Sequence, residues 1–317
     1  MNLTDTDRAS FWPALPFTEW QATAETLHMW TQIVGKVRLT LSPWVNHSWH
    51  VTLYVNSRGL TTSPIPYGLH TFEIQFDFIE HKLRISKSDG ATRILDLAPQ
   101  SVSGFYRELM GALADLNLPV KIDTKPNEVV DAIGFDQDEK HRSYDPEYAN
   151  RFWRVLVQTD RVFKKFRSRY CGKCSPVHFF WGSFDLAVTR FSGRAAPAHP
   201  GGVPHLPDSV AREAYAKEVS SVGFWPGSAS SPAPAFYSYA YPEPAGFAQA
   251  QVRPDAAFYL DQLHEFVLPY EAVRLSESPD EMLLEFAQST YDAASSLANW
   301  DRDALHEVNL KPPVKIG

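Results

Sequence analysis

The sequence predicts an α+β fold of two similar units, each an antiparallel sheet flanked by helices. Apolar residues alternate in several short stretches, as in half-buried strands, and each half opens with a helical pattern. Residues 43–55 also return, in degraded form, at 176–188. A length of 317 residues, 44 % of them hydrophobic, is enough for two such units. We therefore expect an internal duplication, with units at 1–123 and 145–317 and a connecting segment at 124–144.

The first unit is predicted to open with a helix from Thr18 to Gly35, because Thr is a favourable N-cap residue and Gly a favourable residue after the last turn. Strands should follow wherever apolar residues alternate, since a period of two places them on one face of a sheet. A helix over about residues 100–117 should close the unit. The predicted strands are 36–42, 49–55, 71–79 and a hairpin of 82–87 and 92–97 around Asp89-Gly90.

The second unit is predicted to open with a helix that Asp145 caps and that extends to about Phe166. Pro146 suits the first helical position, and the apolar residues that follow lie along one helix face. Later segments of this unit align with the first: strand 184–191 with 49–56, strand 236–243 with 73–80, and a last helix starting at the capping box 278–281 with the helix at 100–117.

A long loop insertion at 192–235 is the largest departure from the repeat. It is rich in Pro, Gly, Ala and Ser, and a short helix is predicted inside it at 208–220. Long loops without secondary structure are uncommon in compact domains and often cover binding sites. Because the segment contains Phe224 and Trp225, we expect it to dock on the protein rather than to be disordered.

Charge and composition exclude some classes of protein. A net charge of -7 and a pI near 5.9 argue against a general binder of nucleic acid or anionic membranes. The basic run 161–169 falls late in a predicted helix, where cations complement the helix dipole, so we expect a solvated face there. Residues 1–16 lack a basic stretch followed by an apolar core, so we expect no targeting segment there. No apolar run reaches membrane-spanning length, and the chain has only two cysteines. We predict a cytoplasmic protein, which could form a homo-oligomer.

His178 and Asp185 are the predicted catalytic residues. In one continuous strand, seven positions would separate them by about 23 Å and place them on opposite faces. If the duplication holds, 177–183 connects two strands, and a turn at 181–183 lets them approach because Gly182 adopts angles that other residues avoid. We expect His178 to be the acid–base group, with Asp185 orienting it or acting independently.

Cationic and aromatic residues complete the predicted site. Buried Asp185 could pair with Arg190 or Arg194 as structural support, or these arginines could hold an anionic substrate group. Alternating tyrosines around Tyr239 could wall an aromatic cleft or form an ordinary half-buried sheet face. The residues predicted to bind substrate are Arg190, Arg194, Trp181, Glu218, Trp225 and Tyr239.

Metal and cofactor signals are incomplete. Cys171, Cys174 and His178 have the spacing of metal ligands, but a closed zinc site takes four ligands and no second Cys pair exists. The sequence also lacks a Gly-x-Ser-x-Gly motif, a phosphate-binding Gly-rich loop and a dinucleotide fingerprint. We predict no metal ligands and identify no cofactor, and zinc remains the weaker alternative.

Four sequence segments of the second half resemble those of a bacterial family, the domain-of-unknown-function family 5996. They lie at 175–187, 189–194, 223–227 and 236–244. The resemblance extends over nearly the full length and implies no activity, cofactor or partner. The family pattern places a His directly before the Glu of the short helix, where this chain has Lys217 before Glu218. This departure weighs against a metal at that position.

The sequence as a whole predicts a small-molecule-binding protein, and an enzyme of unspecified reaction, with an anionic or aromatic ligand in the second unit beneath the segment 192–235. The alternative is a non-catalytic binding or assembly module. In that case the aromatic residues form an oligomer interface and the Asp–Arg pairs are structural.

Overall fold

The computed structural model describes residues 10–168 and 170–306, which form an α+β fold with two antiparallel sheets of six strands and seven α-helices. The elements of the first half are α1 (Phe17–Leu41), β1 (Tyr54–Val55), β2 (Gly59–Thr61), β3 (Ile65–Tyr67), β4 (His70–Asp77), β5 (Lys82–Lys87), β6 (Thr92–Asp96) and α2 (Val102–Asp115). Those of the second half are α3 (Pro146–Ser168), β7 (His178–Phe180), β8 (Asp185–Ala195), α4 (Asp208–Ala214), β9 (Lys217–Trp225), β10 (Ala235–Tyr241), β11 (Phe258–Leu260), β12 (Glu265–Pro269), α5 (Tyr270–Arg274), α6 (Pro279–Leu297) and α7 (Arg302–Leu305).

The two sheets meet edge to edge. The first has the strand order β1-β2-β4-β5-β6 with β3 paired to β4, and the second has the order β11-β12-β10-β9-β8-β7. Leu53, just before β1, and Phe179 in β7 exchange both backbone hydrogen bonds at 2.9 Å. We call this junction of β1 and β7 the seam. It covers one edge of each sheet, so neither edge is open to pairing with another chain.

One continuous hydrophobic core extends through both halves. Trp20 of α1 packs on Phe152 of α3 with 5.2 Å between ring centroids, and Phe152 stacks on Phe184 at 5.1 Å. The segment 124–144 contains no helix or strand. No helix of the described residues is both long and apolar enough to span a bilayer.

Several predicted elements are confirmed. The hairpin of β5 and β6 is present, and α2 begins where Ser101 accepts a hydrogen bond from the amide of Gly104 at 3.2 Å. Asp145 caps α3 by accepting from the amide of Glu147 at 2.9 Å. These elements were predictable because their signals lie within a few residues of each other.

The predicted strand 36–42 is wrong, because α1 continues to Leu41. Gly35 does not end the helix. A Cβ atom at Gly35 would lie 2.3 Å from the indole of Trp181, which reaches α1 from the turn after β7. The indole Nε1 donates to the carbonyl of Val51 at 2.7 Å and is thereby fixed in place. The glycine therefore permits a close contact between the two halves.

The predicted strand 49–55 is also mostly wrong. Only Tyr54–Val55 is a strand, and a 3₁₀ turn occupies Asn46–Ser48, where His47 has a φ of 59°. Trp49 packs against His178 and Phe191 instead of pairing in the first sheet. Its half-buried side chain is therefore covered by the second half and not by a strand of the first sheet.

The region 177–195 differs from the prediction in one respect. His178–Phe180 forms β7 rather than part of a connection, while the predicted turn at 181–183 is present and makes β7 and β8 a hairpin.

The insertion 192–235 is not a long loop. It contains the end of β8, α4 and all of β9, so only 196–207 and 226–234 are irregular apart from short turns. Counted from the seam, β4 is the third strand of its sheet whereas β10 is the fourth, although the repeat aligned these two segments. The structure therefore does not show the internal duplication.

Candidate functional site

The second sheet has one apolar and one polar face. Residues such as Leu186, Phe224 and Phe236 point into the core, and the alternate positions face the other side. On that side, titratable groups from five parts of the chain come together. We call this set the tyrosine–carboxyl face: Asp185, Tyr237, Tyr239 and Glu265 on the strands, Glu128 from the connecting segment, and Tyr215 after α4.

Tyr237 reaches Asp185 across a glycine. In the register of the sheet, Gly223 of β9 lies between Ala187 of β8 and Tyr237 of β10. A Cβ at Gly223 would lie 2.2 Å from the Tyr237 hydroxyl. Because that Cβ is missing, the ring lies across β9 and the hydroxyl donates to Oδ2 of Asp185. Gly223 thus makes the contact between a tyrosine and a buried carboxyl possible.

A chain of hydroxyl groups lies beside this pair. The hydroxyls of Thr189 and Ser221 are 2.9 Å apart, and Ser221 also hydrogen bonds to Tyr239. The Tyr239 and Tyr215 hydroxyls are 2.8 Å apart. His199 stacks on Tyr215 with 4.7 Å between centroids, so the segment after β8 packs on this face.

Two carboxyls of the face have a pKa near neutral pH. Burial raises the pKa of Asp185 to about 7; the hydrogen bond from Tyr237 opposes this shift, and Glu128 and Glu265 add to it. Burial also raises the pKa of Glu265 to about 7. Within the described residues, the Glu265 carboxyl has no hydrogen-bond or ion-pair partner, and Asp185 Oδ1 has no hydrogen-bond partner. Shifts of this size are typical of acid–base sites.

Glu128 approaches the face from the connecting segment. Its Oε2 accepts from the Ser183 hydroxyl at 2.5 Å, and a Cβ at Gly182 would lie 2.0 Å from its Oε1. Burial raises the pKa of Glu128, while the Ser183 hydrogen bond opposes the shift. The amide of Glu128 donates to the Pro204 carbonyl at 2.9 Å. This contact joins the connecting segment to the chain between β8 and α4.

His178 and Asp185 do not form the predicted dyad. The register places both on the same sheet face, but no hydrogen bond joins them. His178 is 0 % exposed, and its ring contacts Trp49 and Tyr54. Burial, together with nearby arginines, lowers the pKa of His178 to about 3. The imidazole is therefore neutral at pH 7 and does not suit the acid–base role that the sequence suggested.

The predicted Asp185–arginine pair is wrong. Arg190 is an odd number of positions from Asp185 and lies on the opposite face of the sheet. It is 1 % exposed, with its guanidinium 3.5 Å from the centroid of Phe166 and 4.4 Å from that of Tyr291. Its Nη2 donates to the Phe166 carbonyl. Arg190 therefore joins the sheet to the helices of the core.

Arg194 and Glu218 pair with each other at 2.7 Å, away from Asp185. Arg194 also donates to the carbonyl of Ala298 at 2.6 Å, at the end of α6. This arrangement satisfies a helix terminus, as cations near a helix C-terminus commonly do. Neither residue can hold a ligand next to Asp185 in this structure.

The structure divides the predicted site. Only Asp185 and Tyr239 belong to the tyrosine–carboxyl face, Trp225 ends β9 opposite Ala235, and Trp181 packs on α1. The members that were not predicted are Glu128, Tyr215 and Glu265. Tyr237 was indicated only by the alternation of tyrosines at 237–241, as a possible wall of an aromatic cleft.

The two cysteines are both free thiols, and burial raises the pKa of Cys174 to about 11. Among residues 10–168 and 170–306, no three His, Cys, Asp or Glu side chains form a group that could hold a metal ion. Cys171, Cys174 and His178 therefore do not converge.

Of the comparisons with known proteins, only the one with protein families found a match. A model described as a family of unknown function matches residues 12–307, nearly the whole chain. No curated protein and no solved structure matches the chain.

Proposed function

The chain belongs to the family of unknown function DUF5996, and we propose, from its site alone, that it is a small-molecule-binding protein with acid–base chemistry on the tyrosine–carboxyl face. The observation that supports the proposal is the meeting of Asp185 and Glu265, both with a pKa of about 7, with tyrosine hydroxyls on one sheet face. General acids and bases work best when their pKa lies near the working pH.

The chemistry of the face indicates the ligand. Its six members are carboxyls and tyrosines, so they offer oxygen acceptors and ring faces but no cation. Such a surface favours ligands with N–H or O–H donors or a positive charge, which aromatic rings also attract. The half-buried Glu265, which has no described partner, is the group best placed to accept a proton from the ligand. An anionic ligand, which depended on Arg190 and Arg194, is not supported at this face.

A non-catalytic assembly module is the competing function. It combines an aromatic oligomer interface with structural Asp–Arg pairs, and the second of these does not apply to Asp185, which is bonded to Tyr237 instead. A cytoplasmic location remains part of the proposal, because the chain has two free thiols rather than a disulfide framework.

The proposal is tested by thermal-shift screening of a small-molecule panel with the wild type, Tyr237→Phe and Gly223→Ala. For any stabilising ligand we expect at least about a tenfold loss of affinity in both variants, because the first removes a hydroxyl bonded to a buried carboxyl and the second displaces the ring. Tyr67→Phe is the matched control, since the Tyr67 hydroxyl donates to the Pro119 carbonyl at 3.0 Å in the first half. Equal stabilisation of all four proteins by every ligand would show that the site lies elsewhere.

A further inference from the structure

A small cavity opens at the seam, beside the C-terminal part of α3. Its volume is about 130 Å³, far more than the 10–15 Å³ or so that one water requires. Three parts of the chain line it: Tyr54 and Val55 of β1, Asp160, Lys164 and Arg167 of α3, and residues 176–177 before β7. None of these residues belongs to the tyrosine–carboxyl face.

The charges around this cavity do not balance. Lys164 and Asp160 pair at 2.6 Å and neutralise each other. Arg167 donates from Nε to the Ser175 carbonyl at 2.7 Å, and no carboxylate lies within ion-pair distance of it among the described residues. Its positive charge therefore has no counter-charge within the described part of the chain.

A second arginine lies behind the wall of the cavity. The guanidinium of Arg38 is 5.2 Å from the ring centroid of Tyr54, and its Nη1 is buried without an acceptor. Arg38 also has no ion-pair partner within the described part of the chain. Arg38 and Arg167 thus both lack a carboxylate partner among the described residues and together create a positive potential at the seam.

This positive potential contributes to lowering the pKa of the neighbouring His178. The Nε2 of His178 is 3.4 Å from the Tyr54 hydroxyl, and its Nδ1 has no partner. Burial is the largest cause of its lowered pKa, and the charges of Arg38 and Arg167 are the next two. The imidazole is therefore kept neutral and adds no positive charge beside the cavity.

We propose that the seam cavity is a second binding site, which takes a phosphoryl group through Arg167, Lys164 and the Tyr54 hydroxyl. A phosphate anion would supply the counter-charge that Arg167 lacks, and guanidinium groups bind phosphate oxygens with charge-assisted hydrogen bonds. Lys164 can donate to the ligand while it remains close to Asp160, because an ammonium group carries three protons. The bound anion would neutralise charge at the junction of the two sheets and thereby stabilise it.

Isothermal titration calorimetry and thermal shift with inorganic phosphate, at constant ionic strength set by chloride, test this site. We expect phosphate to raise the melting temperature of the wild type more than chloride does. Arg167→Gln and Tyr54→Phe should weaken phosphate binding, by about tenfold or more for the arginine, since a hydrogen bond to a charged group contributes roughly 1.5–3 kcal/mol. Arg167 is exposed, so its substitution should leave the fold intact.

Lys165→Gln is the matched control. It removes the same charge from the same helix, but Lys165 lies 3.6 Å from Asp280 and does not line the cavity. Phosphate binding should persist in Lys165→Gln and in Tyr237→Phe, because neither residue touches the seam. Phenyl phosphate then separates the two sources of the group: tighter binding than inorganic phosphate indicates a phosphate monoester, and weaker binding indicates free phosphate. The proposal fails if phosphate acts no differently from chloride, or if all four variants bind phosphate like the wild type.

Discussion

Replacing Gly35 by alanine is expected to destabilise the protein by about 2–3 kcal/mol, the usual cost of overpacking a filled core. In most helices this change is favourable by roughly 0.5–1 kcal/mol, because alanine loses less backbone entropy. Here the new Cβ would lie 2.3 Å from Trp181, whose indole is 6 % exposed and bonded to Val51. The indole has little room to move, so the steric clash outweighs the entropic gain and the substitution destabilises the protein. Urea denaturation of the two proteins measures the difference.

Gly111→Ala provides the control for this experiment. Gly111 lies inside α2, and nothing is within 4 Å of the position that its Cβ would take. Alanine should therefore stabilise the protein by about 0.5–1 kcal/mol at this site. If Gly35→Ala were equally stabilising, the close contact between α1 and the turn after β7 would not exist as described.

Gly35 also illustrates what the sequence could and could not predict. A glycine after an amphipathic helical pattern is a common end signal, and the alternation in 36–42 resembled a strand. The actual reason for this glycine is Trp181, a residue far away in the chain. Local signals such as the Asp145 cap of α3 and the β5–β6 hairpin were sufficient, because both partners in each signal are near each other in sequence.

β9 was missed for a different reason. Its sequence contains Ser220, Ser221 and Gly223, which are typical of loops. In the structure, Ser220 is buried on the core side, whereas Ser221 and Gly223 face the tyrosines and leave them space. Small residues in a strand can thus indicate that large side chains from the next strand cross over it.

The candidate site was only partly predictable. Strand parity alone could have separated Asp185 from Arg190, because five positions place two side chains on opposite faces. It also groups Asp185 with the tyrosines of β10 once the pairing of β8, β9 and β10 is known. The position of Glu128 could not be predicted, since it comes from a connecting segment without a periodic pattern.

Asp185→Asn is expected to make the protein more stable, by an amount that grows with pH. The carboxyl has a pKa of about 7 in the folded protein and about 4 in an unfolded chain. Between these values the unfolded chain has lost the proton and the folded protein still holds it, so each pH unit lowers the free energy of unfolding by about 1.4 kcal/mol. Asparagine cannot ionise, and its side-chain oxygen can still accept a hydrogen bond from Tyr237. The variant therefore does not lose stability through this position as the pH rises.

The variant should therefore gain about 2–3 kcal/mol relative to the wild type between pH 5 and pH 8, with no further gain above that. Urea unfolding at several pH values measures this difference. Other titrating groups, including Glu265 and the buried histidines, are present in both proteins, so their contributions largely cancel in the comparison.

Asp77→Asn is the matched control, and it is expected to lower the free energy of unfolding rather than raise it. Asp77 is also buried, at 1 % exposed, and burial alone would raise its pKa. The Arg58 side chain and the amides of Glu80 and Ile79 outweigh burial and lower the pKa overall. The ionised form thus stabilises the fold above the unfolded pKa of about 4. Asp77→Asn should lower stability by a constant amount from pH 5 to pH 8.

A flat pH profile for Asp185→Asn would mean that Asp185 has already lost its proton at pH 5. It would then behave like Asp77, a carboxylate held ionised by its partners, and could not take up a proton from a ligand at neutral pH. The tyrosine–carboxyl face would retain its hydrogen-bond acceptors, but its acid–base role would rest on Glu265 alone. A rising profile instead shows that Asp185, which accepts a hydrogen bond from Tyr237, exchanges its proton near neutral pH, as the proposed chemistry requires.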